Sequence, residues 1–300
     1  MRATSGHIRA HFSMSNERPD STSRSRAPAD PLGALRASDR DRFLQVLMAS
    51  SGARPALLAL FLFNLELARV ADQVREPMAG FIRLQWWRDA LVALAQGTPP
   101  PHPILDAMAE TGLAARLDVA ALVALVDARE LELDATPLKR VDDLEAHARA
   151  TAGGLNALAA RLLALDDARI EAARTAGTAY GLVGIVRAVP FVIRRSQPLL
   201  PEEPLAARGL APQGLASESA GLDALRPVLA QITERAGERL AGIRADQGRA
   251  AAAAFVPAVL ARQDLARLRR RDFDVFDGRL AERPPWTAAR LLLAATLGRY

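Results

Sequence analysis

The 300-residue sequence contains no cysteine. This absence excludes disulfide bonds, thiolate metal sites and cysteine nucleophiles, and it fits a reducing compartment. Aromatic residues make up only 5% of the chain, and Lys139 is the single lysine among 39 basic residues. A preference for arginine and alanine of this kind is typical of GC-rich bacterial genomes.

Long hydrophobic runs are also missing. The longest one extends from Pro55 to Leu65, is interrupted by Asn64 and is followed by Glu66, so it is too short to cross a bilayer. The formal net charge is +5, and no cationic run or basic–aromatic stripe concentrates it. We therefore expect neither a transmembrane segment nor a nucleic-acid partner.

The N-terminal region has no apolar segment of the kind that a secretory signal needs. Residues 1–35 are rich in arginine, serine and proline, which predicts a disordered tail ahead of one helical domain at 36–300. Two alternatives stay open. Translation could start at Met14 instead of Met1, and the tail could be a mitochondrial transit peptide.

Helical periodicity is abundant, whereas strand alternation is absent. Alanine and leucine, both strong helix formers, dominate the sequence. The residue before a proline is pushed out of the α region, so Glu76 and Val189 are predicted helix ends; Gly97 is a predicted stop, and Ser38 a predicted cap. The predicted elements are about ten helices at 39–50, 55–75, 77–96, 103–111, 118–134, 141–164, 167–188, 222–245, 248–271 and 286–298. This pattern predicts a single all-α domain.

Three segments carry a family resemblance. They read "LFNLELARVADQVREPMAGFIRLQWWRDAL" at 62–91, "LVDARELELDATPLKRVDDLEAHARATAGGLNAL" at 125–158 and "AGTAYGLVGIVRAVPFVIRRSQPLLPEE" at 176–203, with a weaker echo at 270–280. In this order and spacing they resemble the squalene/phytoene synthase family over about residues 40–298. The resemblance implies an isoprenoid-synthase-like helical bundle around a central apolar cavity.

The family's enzymes hold Mg²⁺ ions between two aspartate-rich motifs on facing helices, and the ions bind the substrate diphosphates. Magnesium takes oxygen ligands in near-octahedral geometry, and carboxylates at positions i and i+4 of a helix point the same way. The ions offset the charge that builds on the leaving diphosphate. An active member of this family therefore needs several carboxylates on each of the two helices.

The first motif, D-D-x-x-D in the family, keeps only its last acid here. The positions that match the three aspartates are occupied by Ala68, Arg69 and Asp72. Asp72 and Glu76 are spaced i, i+4 and are weak metal-ligand candidates, but Glu76 precedes a proline and should leave the helix. We therefore predict no metal site at this position.

The second motif, Q-x-x-N-x-x-R-D-x-x-x-D in the family, keeps only its arginine. The matching positions are occupied by Gly181, Gly184, Arg187, Ala188 and Val192. No acid occurs between Glu171 and Glu202, so a shifted alignment does not restore a ligand. Gly181 and Gly184 indicate either close helix packing or room for an apolar ligand.

Basic side chains nevertheless remain near both motifs. Arginine is a good bidentate partner for phosphate, so Arg187, Arg194 and Arg195 are candidate substrate-binding residues, together with Tyr180 and Arg69. For Arg187 an ordinary role at a helix end, where a cation offsets the helix dipole, is the competing interpretation.

Two smaller predictions concern the remaining motif residues. Trp86 and Trp87 lie on adjacent faces of one helix, so at most one can point directly inward, and helix packing is the expected role. Glu130 and Glu132, in the segment "ARELELD", are expected to form salt bridges with arginine.

The segments FNLELARVAD at 63–72 and VRAVP at 186–190 are similar to a diverged branch of the family, which includes mitochondrial proteins needed to assemble respiratory complex I. The resemblance implies a non-catalytic protein without a cofactor, which assists that assembly or binds an isoprenoid or other lipid. We expect a cytoplasmic location, with peripheral attachment to the inner membrane as an option and a membrane respiratory-complex subunit as a partner.

Two other functions stay open. One is an active, Mg²⁺-dependent head-to-head prenyl transferase that uses prenyl diphosphates, and the other is a lipid-binding module with no assembly role. Catalytic turnover would distinguish the first, and a copurifying lipid the second.

Overall fold

The computed structural model describes residues 30–133, 138–193, 199–211, 215, 222–280 and 282–300. Over these ranges the chain forms fourteen α-helices and no strand, with one isolated bridge between Asp246 and Arg299. The first seven helices are α1 Pro31–Ser38, α2 Arg40–Leu47, α3 Arg54–Gln73, α4 Pro77–Ala95, α5 Pro103–Glu110, α6 Leu113–Arg116 and α7 Val119–Asp127. The others are α8 Val141–Ala148, α9 Gly154–Leu162, α10 Asp167–Val192, α11 Glu202–Ala206, α12 Leu222–Ala241, α13 Ala252–Arg270 and α14 Thr287–Leu297. The all-α prediction is confirmed.

The N-terminal boundary of the helical domain differs from the prediction. Helix α1 begins at Pro31 and completely buries Leu35, so the fold starts before residue 36, while residues 1–29 lie outside the described ranges. Ser38 is the last residue of α1 and does not cap α2. The cap is Asp39, whose carboxylate accepts a hydrogen bond from the Arg42 N–H at 3.0 Å.

Proline ends one of the predicted helices but not the other. Glu76 is extended, with φ −105° and ψ 125°, and it lies beyond the end of α3 as predicted. Val189 is not a helix end, because α10 continues to Val192 with Pro190 inside it. Val189 is completely buried, so side-chain packing outweighs the backbone hydrogen bond that a proline cannot donate.

Two apolar clusters form the core. Helices α1–α7 and α9 surround the first cluster, which contains Phe61 and Phe63, and α8–α14 surround the second, which contains Phe255. Helix α10 packs against α8, α9, α12 and α13. By length and composition it could cross a membrane, but this packing explains its apolar character as that of a central core helix.

Helix α10 approaches its neighbours closely at two glycines. Helices α8 and α9 are joined by a π-helical turn at Arg149–Gly153, and a Cβ on Gly177 would lie 2.5 Å from the Ala152 carbonyl oxygen. A Cβ on Gly181 would lie 2.9 Å from the Ala152 Cβ, whereas one on Gly184 would meet no atom within 4 Å. Gly181 therefore serves close packing, and Gly184 leaves open space beside α10.

Candidate functional site

An open cavity of about 800 Å³ lies where the α1–α2 junction, α10 and the segment before α14 meet. Its lining is polar, unlike the apolar cavity that we expected. The lining residues are Ser38, Asp39, Arg40, Asp41, Tyr180, Arg187, Glu282 and Arg283. We call this space the polar cavity.

Arg283 is the centre of a charged network along the cavity wall. Its guanidinium donates to Asp41, with Nε 2.9 Å from Oδ1, and to Asp264, with Nη1 2.6 Å from Oδ2. The Tyr180 hydroxyl donates to Asp41 Oδ2 at 2.8 Å. Residues from α2, α10 and α13 are therefore joined through one arginine.

Asp264 of α13 is the most deeply buried acid of this network, with 2% of its side chain exposed. It accepts hydrogen bonds from Arg187 Nη1 at 3.0 Å and from Arg267 Nη1 at 3.3 Å, in addition to the one from Arg283. Because a buried charge without a partner is very costly, this carboxylate and its three arginines depend on each other.

The network also sets the ionisation of its members. Burial alone would raise the pKa of Asp41, but hydrogen bonds and charge from Arg283 and the Tyr180 hydroxyl outweigh it and leave that pKa below its ordinary value. Burial and the neighbouring Asp41 charge raise the pKa of Tyr180 well above its ordinary value. Burial also raises the pKa of Asp39. Asp41 is therefore held as a carboxylate and Tyr180 as a neutral donor.

A second polar network lies deeper, beneath the first. Arg42 donates to Gln45 Oε1 at 2.7 Å, Gln45 donates to Asn156 Oδ1 at 2.8 Å, and Asn156 donates to the backbone carbonyls of α10 and α13. The Arg42 guanidinium lies over the rings of Phe61 and Tyr180, 5.3 and 5.2 Å from their centroids. This network satisfies the polar groups at the junction of the two apolar clusters.

Comparison with known proteins identifies the family of this chain and solved structures of similar fold. The family model described as squalene/phytoene synthase matches residues 35–290. The chain belongs to the squalene/phytoene synthase family. The fold agrees with that of a solved dehydrosqualene synthase at a TM-score of 0.71 with 17% identity, covering 89% of this chain and 94% of that one.

Two curated relatives carry different names. Complex I assembly factor 6 of Rattus norvegicus is 28% identical over 273 residues, which cover 90% of this chain and 82% of the relative. Presqualene diphosphate synthase of Rhodopseudomonas palustris is 29% identical over 191 residues, which cover 61% of this chain and 65% of the relative. Some relatives of this chain are thus named as enzymes, and others are named as assembly factors.

The residues at the family's first motif lie at the solvent-exposed end of α3. Asp72 is exposed on the helix, whereas Glu76 lies beyond the helix end, so the two do not share a helical face. Arg69 donates to Ser38 Oγ at 2.8 Å and lies 3.5 Å from the Glu66 carboxylate. It reaches Ser38 at the edge of the polar cavity, whereas Asp72 does not line that cavity.

One face of α10 carries Gly184 and Arg187, two of the predicted second-motif positions, together with Tyr180. Tyr180, Gly184 and Arg187 are spaced i, i+4, i+7 and share one helical face, and Tyr180 and Arg187 line the polar cavity. Arg194 and Arg195 lie outside the described residues. Two of the predicted substrate-binding residues, Tyr180 and Arg187, thus line the same cavity, and each already donates a hydrogen bond to an aspartate.

The described side chains do not fit the family's magnesium cluster. Within the described ranges, no group of three or more His, Asp or Glu residues could hold a metal ion. The two buried carboxylates of the network, Asp41 and Asp264, each accept hydrogen bonds from arginine, which removes lone pairs that Mg²⁺ would need.

The smaller sequence predictions are confirmed. Glu130 pairs with Arg88, and Glu132 with Arg129 at 2.7 Å. Trp87 is 4% exposed and Trp86 is 39% exposed, so only one of the two points inward.

Four residues of the network were missed by sequence reasoning: Asp41, Asp264, Arg267 and Arg283. Asp264 had a usable signal, because it is an acid on the face of α13 that also carries the buried Leu260, Leu265 and Leu268. A charged residue in such a position needs a buried partner. Asp41 and Arg283 gave no signal, since their contact joins the two ends of the folded region.

Proposed function

We propose that the chain is a non-catalytic member of its family that assists the assembly of respiratory complex I. The observation that carries the proposal is the state of Arg187. It is the one residue of the second motif that this chain keeps, and its guanidinium lies 3.0 Å from Asp264. An internal carboxylate thus holds the arginine that a diphosphate would otherwise attract.

The comparisons with known proteins also support the proposed assembly role. The relative named complex I assembly factor 6 is matched along 82% of its length, whereas the presqualene diphosphate synthase is matched along 65% of its length. By this proposal the partner is a subunit of the membrane respiratory complex. The protein would be cytoplasmic and attached peripherally to the inner membrane.

The polar cavity supports a binding role more than a reaction. It is about 800 Å³ in volume, which is within the range of small-molecule sites. Its lining combines cationic and anionic side chains, which suit the polar head of an isoprenoid or other lipid ligand.

One observation favours the alternative function, a Mg²⁺-dependent head-to-head prenyl transferase. Arg187 Nε is buried without a hydrogen-bond partner among the described residues, and such a donor is suited to a phosphate oxygen. This alternative is also favoured by the similarity to a presqualene diphosphate synthase. Since no group of three or more His, Asp or Glu residues in the described ranges could hold a metal ion, Asp72 would then need further ligands from residues outside those ranges.

Two measurements test the proposal. Purified protein incubated with farnesyl diphosphate and Mg²⁺ should release no pyrophosphate and form no C30 product above an EDTA control. In the source organism, loss of the gene should reduce assembled complex I on native gels, and wild-type protein and Asp72→Asn should both restore it. Turnover that Asp72→Asn abolishes would establish the prenyl transferase instead.

A further inference from the structure

Helix α14 presents a broad apolar face that the rest of the described chain does not cover. Leu292, Leu293 and Leu297 are 58%, 61% and 60% exposed, and Trp286, just before the helix, is 58% exposed. The opposite side packs into the bundle through Leu291, which is 3% exposed. At about 100° per residue, the four exposed side chains lie within one arc of about 140°.

The charged side chains of the segment that carries this face have one sign. The segment 283–300 contains three arginines and no acidic side chain. Arg283 is buried in the network, but Arg290 and Arg299 are exposed, and neither forms a side-chain ion pair with the described residues. One lies within the helix and the other just past its end, so the leucines are flanked by cations along the helix axis.

We propose that this face of α14 docks on an anionic lipid surface. At 11 residues the helix is too short to span a bilayer. Leucine and tryptophan on one face with arginine at its margins is the arrangement of a helix that lies in the headgroup region. The proposal rests on the proposed function, since it supplies the membrane contact of an assembly factor, but it is tested separately.

A second copy of the chain fits this face less well. A two-fold contact would bring the same surface of both copies together. The segment 283–300 carries arginines and no acidic side chain, so a contact made by this segment alone would bring like charges together. Anionic headgroups neutralise these arginines while the leucines leave water, so a lipid surface satisfies both features at once.

The test is sedimentation of the full chain with vesicles of phosphatidylglycerol and phosphatidylcholine, or of phosphatidylcholine alone. The variant Leu292→Gln/Leu293→Gln/Leu297→Gln should lower the partition coefficient for the anionic vesicles by at least about a hundredfold, because each exposed leucine contributes about a factor of ten. The matched control is Met78→Gln/Ile82→Gln on α4, which removes two side chains that are 68% and 65% exposed and should change nothing.

Charge is tested with Arg290→Gln/Arg299→Gln, which should lower the preference for anionic vesicles several-fold and weaken its dependence on salt. The arginine-rich residues 1–29 are present in every variant, so their contribution cancels. Circular dichroism checks that the variants are folded.

Equal vesicle binding by the wild type and the leucine variant would overturn the proposal. A concentration-dependent dimer that the leucine variant abolishes, without vesicle binding, would also overturn it and assign the face to self-association. Turnover of a prenyl diphosphate, by contrast, would refute the proposed non-catalytic function. It would not affect the docking proposal, which the vesicle measurements test separately.

Discussion

The end of α3 and the cavity face of α10 are the predicted positions of the family's two aspartate-rich motifs, yet they differ in burial and in charged partners. At the end of α3 the acid Asp72 is exposed on the helix surface. On α10 the remaining arginine, Arg187, is 20% exposed and contacts Asp264, which is 2% exposed. One position carries an acid at the surface, and the other carries no acid between Glu171 and Glu202 but is packed into a charged network.

The difference indicates which charged side chains contribute to the stability of this fold. On α10 the network draws its carboxylates from α2 and α13, through Asp41 and Asp264, so the site is held together by distant parts of the chain. At the end of α3 the resolved contacts of Arg69 are with Ser38 and with Glu66 on its own helix. We expect substitutions on the α10 side to affect stability strongly and those on the α3 side only weakly.

Asp264→Asn should have the largest effect. It keeps the shape of the side chain but leaves Arg187, Arg267 and Arg283 without their shared buried carboxylate, so the free energy of unfolding should fall by about 3–5 kcal/mol. Chemical denaturation measures it, with Asp72→Asn as the control. Equal losses of unfolding free energy for the two substitutions would contradict the expected difference between the α10 side and the α3 side.

Asp41→Asn should cost less, about 2 kcal/mol at neutral pH, because Arg283 keeps its contact with Asp264. The folded-state pKa of Asp41 is lowered, so its contribution is complete above its ordinary pKa of about 3.9 and is lost as the pH falls through the folded-state value. The difference between wild type and Asp41→Asn should therefore shrink below about pH 4. A difference that grows on acidification would contradict this assignment.

Two glycines on α10 allow the effect of an added methyl group to be compared between a tightly packed position and an open one. Gly177→Ala should destabilise the protein by about 1.5 kcal/mol, because the new Cβ would meet a backbone oxygen of the π-helical turn. Gly184→Ala should be neutral or stabilise by up to about 1 kcal/mol, since it meets no atom and alanine favours the helix. Thermal unfolding of both variants is the measurement. Destabilisation by Gly184→Ala would mean that the space beside α10 is filled.

Asp72→Ala should have the smallest effect, within about 1 kcal/mol, as for other exposed charges. Addition of Mg²⁺ should shift the melting temperature of the wild type and the variant equally. A magnesium-dependent stabilisation that only the wild type shows would restore a metal site at the end of α3 and sharpen the case for the prenyl transferase.

Much of the fold was accessible from the sequence, because helical periodicity and proline and glycine punctuation are local properties. The stops at Gly97 and before Pro77 are set by the backbone preferences of those residues. Pro190 was misjudged, because its effect depends on how deeply the surrounding turn of α10 is buried. Local rules fail where tertiary packing is strong.

Only part of the candidate site could be predicted from the sequence. Arg187 and Tyr180 could be placed on one helical face from their spacing alone. Their partners could not be found, because Asp41 and Asp264 come from helices that only the folded chain brings against α10.

The sequence by itself determined that the chain is helical, that it belongs with the squalene/phytoene synthases, and that its motif positions hold few carboxylates. These are properties of residue type and spacing. Only the tertiary structure decided that Arg187 is paired internally and that the leucines of α14 remain uncovered. Both depend on which surfaces meet when the helices pack, and residues that are far apart in sequence determine that outcome.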